Sequence, residues 1–174
     1  MVVERASSSD AFGLLGLPAQ FDLDPARIEA AFFERSKELH PDRHATAPAA
    51  ERVAVLSRSR ALNDAYQTLK KPVSRAQYLL EREGVTIGDN ERIDPALVMR
   101  VLELREELAE AKVARDRAAL EALRTAMRAR RGQALEELPR HFADRALPEV
   151  KRVLIALRYI DRYLEECDAA LEDD

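Results

Sequence analysis

Between residues 25 and 70 the chain carries two apolar-striped stretches of helical period, and His40-Pro41-Asp42 stands between them. Proline supplies no backbone donor and turns the residue before it away from helical dihedrals, so one continuous helix cannot run through this point. The stripes on either side, Ile28, Phe32 and Leu39 before the turn and Val55, Leu62, Tyr66 and Leu69 after it, must then be buried by folding back on one another. A polar turn held between two antiparallel helices presents a rigid set of solvent-facing side chains. Such a turn suits docking onto another protein better than enclosing a small substrate.

Proline and capping residues punctuate the rest of the chain. The sequence predicts a short first helix from Ala11 to Leu17, closed by Pro18. Asp24-Pro25 starts a second helix to Leu39, the carboxylate capping free amides and proline standing where no donor is needed. Residues 43–48 read as loop, and a third helix runs from about Ala49 to Lys70. Lys71-Pro72 breaks it and opens a fourth helix through Tyr78, Leu79 and Leu80 to Gly84. Residues 85–93 hold few periodic positions and read as an inter-domain linker. Asp94-Pro95 repeats the capped start, and further helices are expected near 95–112, 116–142 and 147–171. Pro139 should kink or shorten the middle one, and Pro148 should sit in the first turn of the last. That last helix has a seam at Val153, Leu157, Ile160, Leu164, Cys167 and Leu171, in steps of four and three, the spacing of a bundle face. The expected fold is therefore all-α: an N-terminal domain over 1–84 with an ordered core at about 11–84, and a C-terminal three-helix bundle over 94–174.

Composition narrows the function classes. Abundant Ala, Leu, Glu and Arg with only five glycines among 174 residues favour helix throughout. A net charge of -4, with neither half polybasic, gives no general attraction to nucleic acid. The Arg128-Arg130-Arg131 cluster lacks interleaved aromatics and reads as a solvated helix face. A single cysteine, Cys167, excludes an internal disulfide and any cysteine-based zinc site, and its place on the seam reads as a buried, inert thiol. No apolar run reaches the roughly 20 residues of a membrane helix. The first ten residues, with Glu4 and Asp10, show neither a signal core nor an acid-poor transit pattern. A cytoplasmic protein without a membrane partner is expected. No phosphate-binding loop, nucleophile elbow or HExxH motif is present, so no catalytic residue is assigned.

The helix ending in Leu39, then His40-Pro41-Asp42-Arg43, then Leu62-Asn63-Asp64-Ala65-Tyr66-Gln67-Thr68-Leu69, and finally Pro72 with Arg75-Ala76-Gln77-Tyr78, together resemble a J-domain. Alone, His-Pro-Asp is also what a helix stop with an Asx turn would look like; three elements in order are far more specific. The resemblance implies an antiparallel helical hairpin with short flanking helices, and stimulation of ATP hydrolysis by a heat-shock chaperone of the DnaK type. The chemistry would belong to that partner, and this chain would hold no cofactor. On the resemblance, His40, Pro41, Asp42, Arg43, Lys37, Arg35 and Asn63 would meet the chaperone. Physically, proline stiffens the turn and lowers the entropy lost on docking, Asp42 suits a charge-assisted pair with arginine, and His40 offers a hydrogen bond near neutral pH. The preceding helix mixes Arg27, Arg35 and Lys37 with Glu29, Glu34 and Glu38, a less basic surface than the family's, which suits a dedicated partner.

The remainder lacks the glycine/phenylalanine linker and cysteine repeats of a generalist. Instead, residues 97–108 (Leu-Val-Met-Arg-Val-Leu-Glu-Leu-Arg-Glu-Glu-Leu), Arg75 to Leu80, and Arg158-Tyr159-Ile160-Asp161 resemble the HscB-type co-chaperones from Phe12 onward. That resemblance implies delivery of an IscU-like iron–sulfur scaffold to a specialised HscA-type chaperone, with the cluster carried by the scaffold and Val98, Met99, Leu102, Glu103, Arg105, Glu106 and Tyr159 on the scaffold-binding face. The periodicity gives separate support. Leu97, Val101, Leu104 and Leu108 share one stripe that a bundle would bury, while Val98, Met99 and Leu102 fall on another face. A second apolar stripe either packs on another element of the chain or meets a partner. Tyr159 lies off the last helix's seam, where an aromatic either contacts a partner or covers a bundle edge. Two other readings stand: a J-domain protein with a different client, and a metal-binding helical protein using His40, Asp42 and His44.

Overall fold

The computed structural model describes residues 10–89, 91 and 94–172, all-helical and divided into two compact units, Met1–Glu83 and Gly84–Asp174. The reading of residues 1–9 as lacking a leader, and residues 90, 92 and 93 of the expected linker, lie outside the described residues.

In the first unit, α1 (Ala11–Leu15) is capped by Asp10, whose carboxylate accepts from Gly13 N at 2.7 Å. It ends two residues earlier than the proline at position 18 suggests, because Gly16 takes the left-handed conformation (φ 67°) and closes the helix. Leu17 is nevertheless buried. Helix α2 (Pro25–Glu38) begins on the Asp24 cap, and α3 (Ala49–Lys70) returns antiparallel to it. The core is built on Phe12, Ile28, Leu62, Leu69 and Leu80. Phe32 and Leu39, expected inside, are only half-buried. Phe32 stacks on Tyr66, also half-buried, at 4.3 Å between ring centroids, so the pair seals the edge of the hairpin while Ala65 fills the space beneath.

Helix α4 (Pro72–Arg82) closes onto α1. The Tyr78 hydroxyl accepts from Ala11 N at 3.0 Å, and Arg82 pairs with the capping carboxylate of Asp10. Arg75 on the same helix is 5% exposed, with its guanidinium over the Phe21 ring and Nη1 donating to the Leu69 carbonyl at 2.9 Å. Burial pushes its pKa down, with Asp22 opposing. The Leu69 carbonyl in the last turn of α3 thus finds a donor inside the core, where water cannot serve. Arg75→Ala strands that carbonyl and opens a cavity, and is expected to cost about 3 kcal/mol in denaturant unfolding. A cost below about 1 kcal/mol would mean the carbonyl finds another donor.

In the second unit, α5 (Pro95–Val113) and α6 (Arg117–Ala143) start on the Asp94 and Asp116 caps, and α7 (Leu147–Glu172) has Pro148 in its first turn. Pro139 does not shorten α6, which continues to Ala143. The proline removes one helical hydrogen bond, and the fully buried Leu138 beside it holds the helix in register against α7. The turns α5–α6 and α6–α7 place Arg115 (φ 50°) and Arg145 (φ 53°) in the left-handed region that usually takes glycine. On α7, Leu164 is half-buried and Tyr163 takes its expected place, 4% exposed, donating to the Leu104 carbonyl at 3.0 Å. Packing against two helices buries a face wider than a narrow seam, so Val150, Leu154 and Tyr163 join it. Cys167 is fully buried, and burial pushes its thiol pKa up.

Ile87, Gly88 and Glu91 are strapped along α7. Arg158 donates to the carbonyls of Gly88 (3.1 Å) and Ile87 (3.3 Å). Glu91 pairs with Lys151 at 2.8 Å and accepts from Gly88 N at 2.9 Å. The Lys151 hydrogen bond, then the Gly88 N–H, hold the Glu91 carboxyl below its ordinary 4.5. A lowered carboxyl pKa contributes stability that is fully present above the unfolded value and lost as pH falls through the folded one. Protection of the Gly88 amide against hydrogen exchange should therefore persist at neutral pH and disappear as pH falls below 4.5. Protection that is unchanged in acid would remove Glu91 from the strap.

Candidate functional site

The turn after α2 is a short 3-10 segment, Pro41–His44, where the sequence suggested loop from Arg43. His40, in extended conformation, caps it: Nδ1 accepts from Asp42 N at 3.3 Å. The cap is thus the histidine ring and not the Asx turn that the aspartate would make. The Asp42 side chain is 91% exposed and His40 60%. With Nδ1 accepting, the neutral ring carries its proton on Nε2, leaving one N–H donor for a partner. Pro41, Asp42 and Arg43 are all exposed beside it. His44 is spent internally, its Nε2 at 3.0 Å from the Glu38 carbonyl and Nδ1 at 3.7 Å from Glu51, which ties the end of α2 to the start of α3. Among the described residues no three His, Cys, Asp or Glu side chains converge as metal ligands, His40, Asp42 and His44 included.

Other residues matched to chaperone docking are dispersed. Lys37 is held by Glu34 at 2.7 Å, and the Arg35 guanidinium lies against Gly16, where a Cβ would come within 2.8 Å of it. Asn63 is exposed on α3. The hydrogen bond from Lys37 is the main reason the Glu34 carboxyl pKa is lowered. Arg43 stands exposed on the turn itself. Sequence reasoning passed over Val53 and Leu56, exposed one turn apart on α3, and Phe33, exposed on α2. Apolar residues out of phase with the buried stripe were the signal available.

On the second unit, α6 and α7 pair extensively while α5 packs far less on either. Only Leu108 and Ala111 of α5 are buried. Leu97, Val101 and Leu104, expected inside, are half-buried on one wall of a shallow apolar cleft that Met127, Tyr159 and Ile160 complete. Outside that cleft, Val98, Met99 and Leu102 are 40%, 59% and 51% exposed. Charges frame them: Arg100 bridges Glu103 at 3.0 Å, Arg105 reaches Glu166 on α7 at 3.1 Å, and Glu106 is exposed. Tyr159 is half-buried and borders the cleft, away from the exposed stripe.

Comparison with known proteins matches both units. Residues 10–78 fit the DnaJ domain, and residues 93–168 fit the HSCB C-terminal oligomerisation domain. A "Co-chaperone protein HscB homolog" of Burkholderia multivorans is 38% identical over 92% of this chain and 93% of its own length. The chain belongs to the HscB co-chaperone family. The chaperone HscB from Vibrio cholerae superposes with a TM-score of 0.81 at 35% identity, over 94% of this chain and 98% of that one. Human co-chaperone HscB gives 0.85 at 25% identity, over 95% and 83%. HscB membership agrees with the J-domain and all-α architecture read from the sequence. Among the described residues no helix is long and apolar enough to cross a membrane.

Proposed function

We propose that this chain is an adaptor: it holds an IscU-like iron–sulfur scaffold on α5 and stimulates the ATPase of a DnaK/HscA-type heat-shock chaperone through His40-Pro41-Asp42, promoting cluster transfer. The observation that carries the scaffold half is the exposure of Val98, Met99 and Leu102 on a helix that buries only Leu108 and Ala111. Three adjacent apolar side chains left in water form an anchor set, with a thioether able to adapt to its contact. Glu103, Arg105 and Glu106 supply the rim, and Tyr159 would add a contact from the neighbouring cleft. The chaperone half rests on a stiff turn whose exposed groups are the His40 imidazole, the Asp42 carboxylate and the Arg43 guanidinium. On this reading ATP hydrolysis belongs to the partner. The chain is proposed to bind no cofactor, nucleic acid or membrane of its own. Joining both contacts in one chain raises the effective concentration of scaffold at the chaperone without new contacts.

Calorimetry with the purified cognate scaffold tests the client directly. Saturable binding is expected, and absence of binding alongside capture of a different protein would assign the bundle to another client.

A further inference from the structure

A second cleft, of about 310 Å³, opens on α7 beside the strapped Gly88 and Glu91. Ile155, Tyr159 and Arg162 stand on its α7 wall, and Gly88, Asp89 and Glu91 on the other. The strap is pinned by Arg158 and by the Lys151–Glu91–Gly88 contacts, so the cleft is preformed. Most of its charged groups are already engaged: Arg158 on two carbonyls, Glu91 on Lys151. Arg162 is exposed and makes no hydrogen bond or ion pair among the described residues. Residues 155, 159 and 162 lie at helical spacing on one face, so the open guanidinium sits next to an aliphatic and an aromatic surface. Tyr159 also borders the apolar cleft beside α5, so the two recesses are neighbours that share this side chain as a wall.

We infer that this second cleft extends the scaffold-binding surface and takes one acidic side chain with an apolar neighbour from the scaffold, the carboxylate on Arg162 and the apolar group on Ile155 and Tyr159. The inference rests on the adaptor reading above and adds to it a charged specificity contact. Asp89 on the opposite wall repels a second carboxylate, so a singly acidic segment fits and a polyacidic one does not. Guanidinium–carboxylate geometry gives such a contact direction as well as strength.

The test is calorimetry of the full-length chain with the cognate scaffold, comparing wild type with Arg162→Ala, Arg162→Glu, Arg162→Lys and Leu102→Ala at low and moderate salt. Arg162→Ala should weaken binding about tenfold, and Arg162→Glu further still, through loss of a charge-assisted hydrogen bond and then repulsion. Arg162→Lys should recover only part of the affinity, because it restores the charge without the guanidinium fork, and the salt dependence of binding should shrink in Arg162→Ala. If Leu102→Ala weakens binding while Arg162→Glu stays within about twofold of wild type, the cleft is not a contact and the α5 reading stands. If neither weakens it, the α5 reading falls and the cleft proposal falls with it.

Discussion

His40→Gln should abolish stimulation of the chaperone's ATPase while scaffold affinity stays at the wild-type value. The imidazole has two jobs in the turn: Nδ1 accepts from Asp42 N, and Nε2 is the free donor. A glutamine amide reaches differently from the backbone and cannot reproduce a flat ring that accepts on one side and donates on the other. His40 is exposed and lies outside the core, so the fold should survive, with an unchanged thermal transition as the check. Single-turnover ATP hydrolysis is the readout. Stimulation retained at near the wild-type rate would remove His40 from the trigger, and loss of scaffold affinity in the folded variant would refute the division of labour.

Simultaneous alanine substitution at Val98, Met99 and Leu102 should weaken scaffold binding by about 2–4 kcal/mol, on the scale of an apolar anchor set at the centre of an interface. Met99 and Leu102 are more than half exposed, so their truncation removes little from the core and the bundle should remain folded. The loss should appear mainly as faster dissociation. Unchanged affinity would make this stripe an ordinary surface.

Helix starts and stops were readable because they depend on local chemistry. Asp24-Pro25 and Asp94-Pro95 cap α2 and α5 as expected, and α3 spans Ala49–Lys70 as its periodicity implies. What escaped reading depended on tertiary geometry. Leu164 fits a four-three seam, yet contact with both α5 and α6 rotates the buried face toward Tyr163. Arg75 reads as a surface residue until the Leu69 carbonyl and the Phe21 ring enclose it. Leu97, Val101 and Leu104 have the pattern of a core stripe, and only the thin packing of α5 leaves them lining a cleft.

The candidate sites divide in the same way. His40, Pro41, Asp42 and Arg43 are contiguous in sequence, so their meeting at one turn could be read directly. Lys37 and Arg35 belong to that list by sequence; Lys37 pairs with Glu34, and the Arg35 guanidinium lies close to Gly16. That His40 caps the turn while the Asp42 carboxylate stays exposed was hidden, because histidine is not an ordinary capping residue and the aspartate beside it is. The strap onto Arg158 and Lys151 was also hidden, since residues 85–93 carry no periodic signal while their anchors lie some 60 to 70 positions away.

The central claim is that one chain must hold the scaffold and trigger the chaperone together. It is tested most directly by mixing two defective forms, His40→Gln and the Val98/Met99/Leu102 triple alanine, and measuring single-turnover ATP hydrolysis by the chaperone with scaffold present. Wild-type chain should give a rate with scaffold well above its rate without it. The mixture should give no scaffold-dependent gain, because no single molecule carries both contacts. Full recovery of that gain by the mixture would show that trigger and scaffold need not be joined, and would contradict the adaptor account.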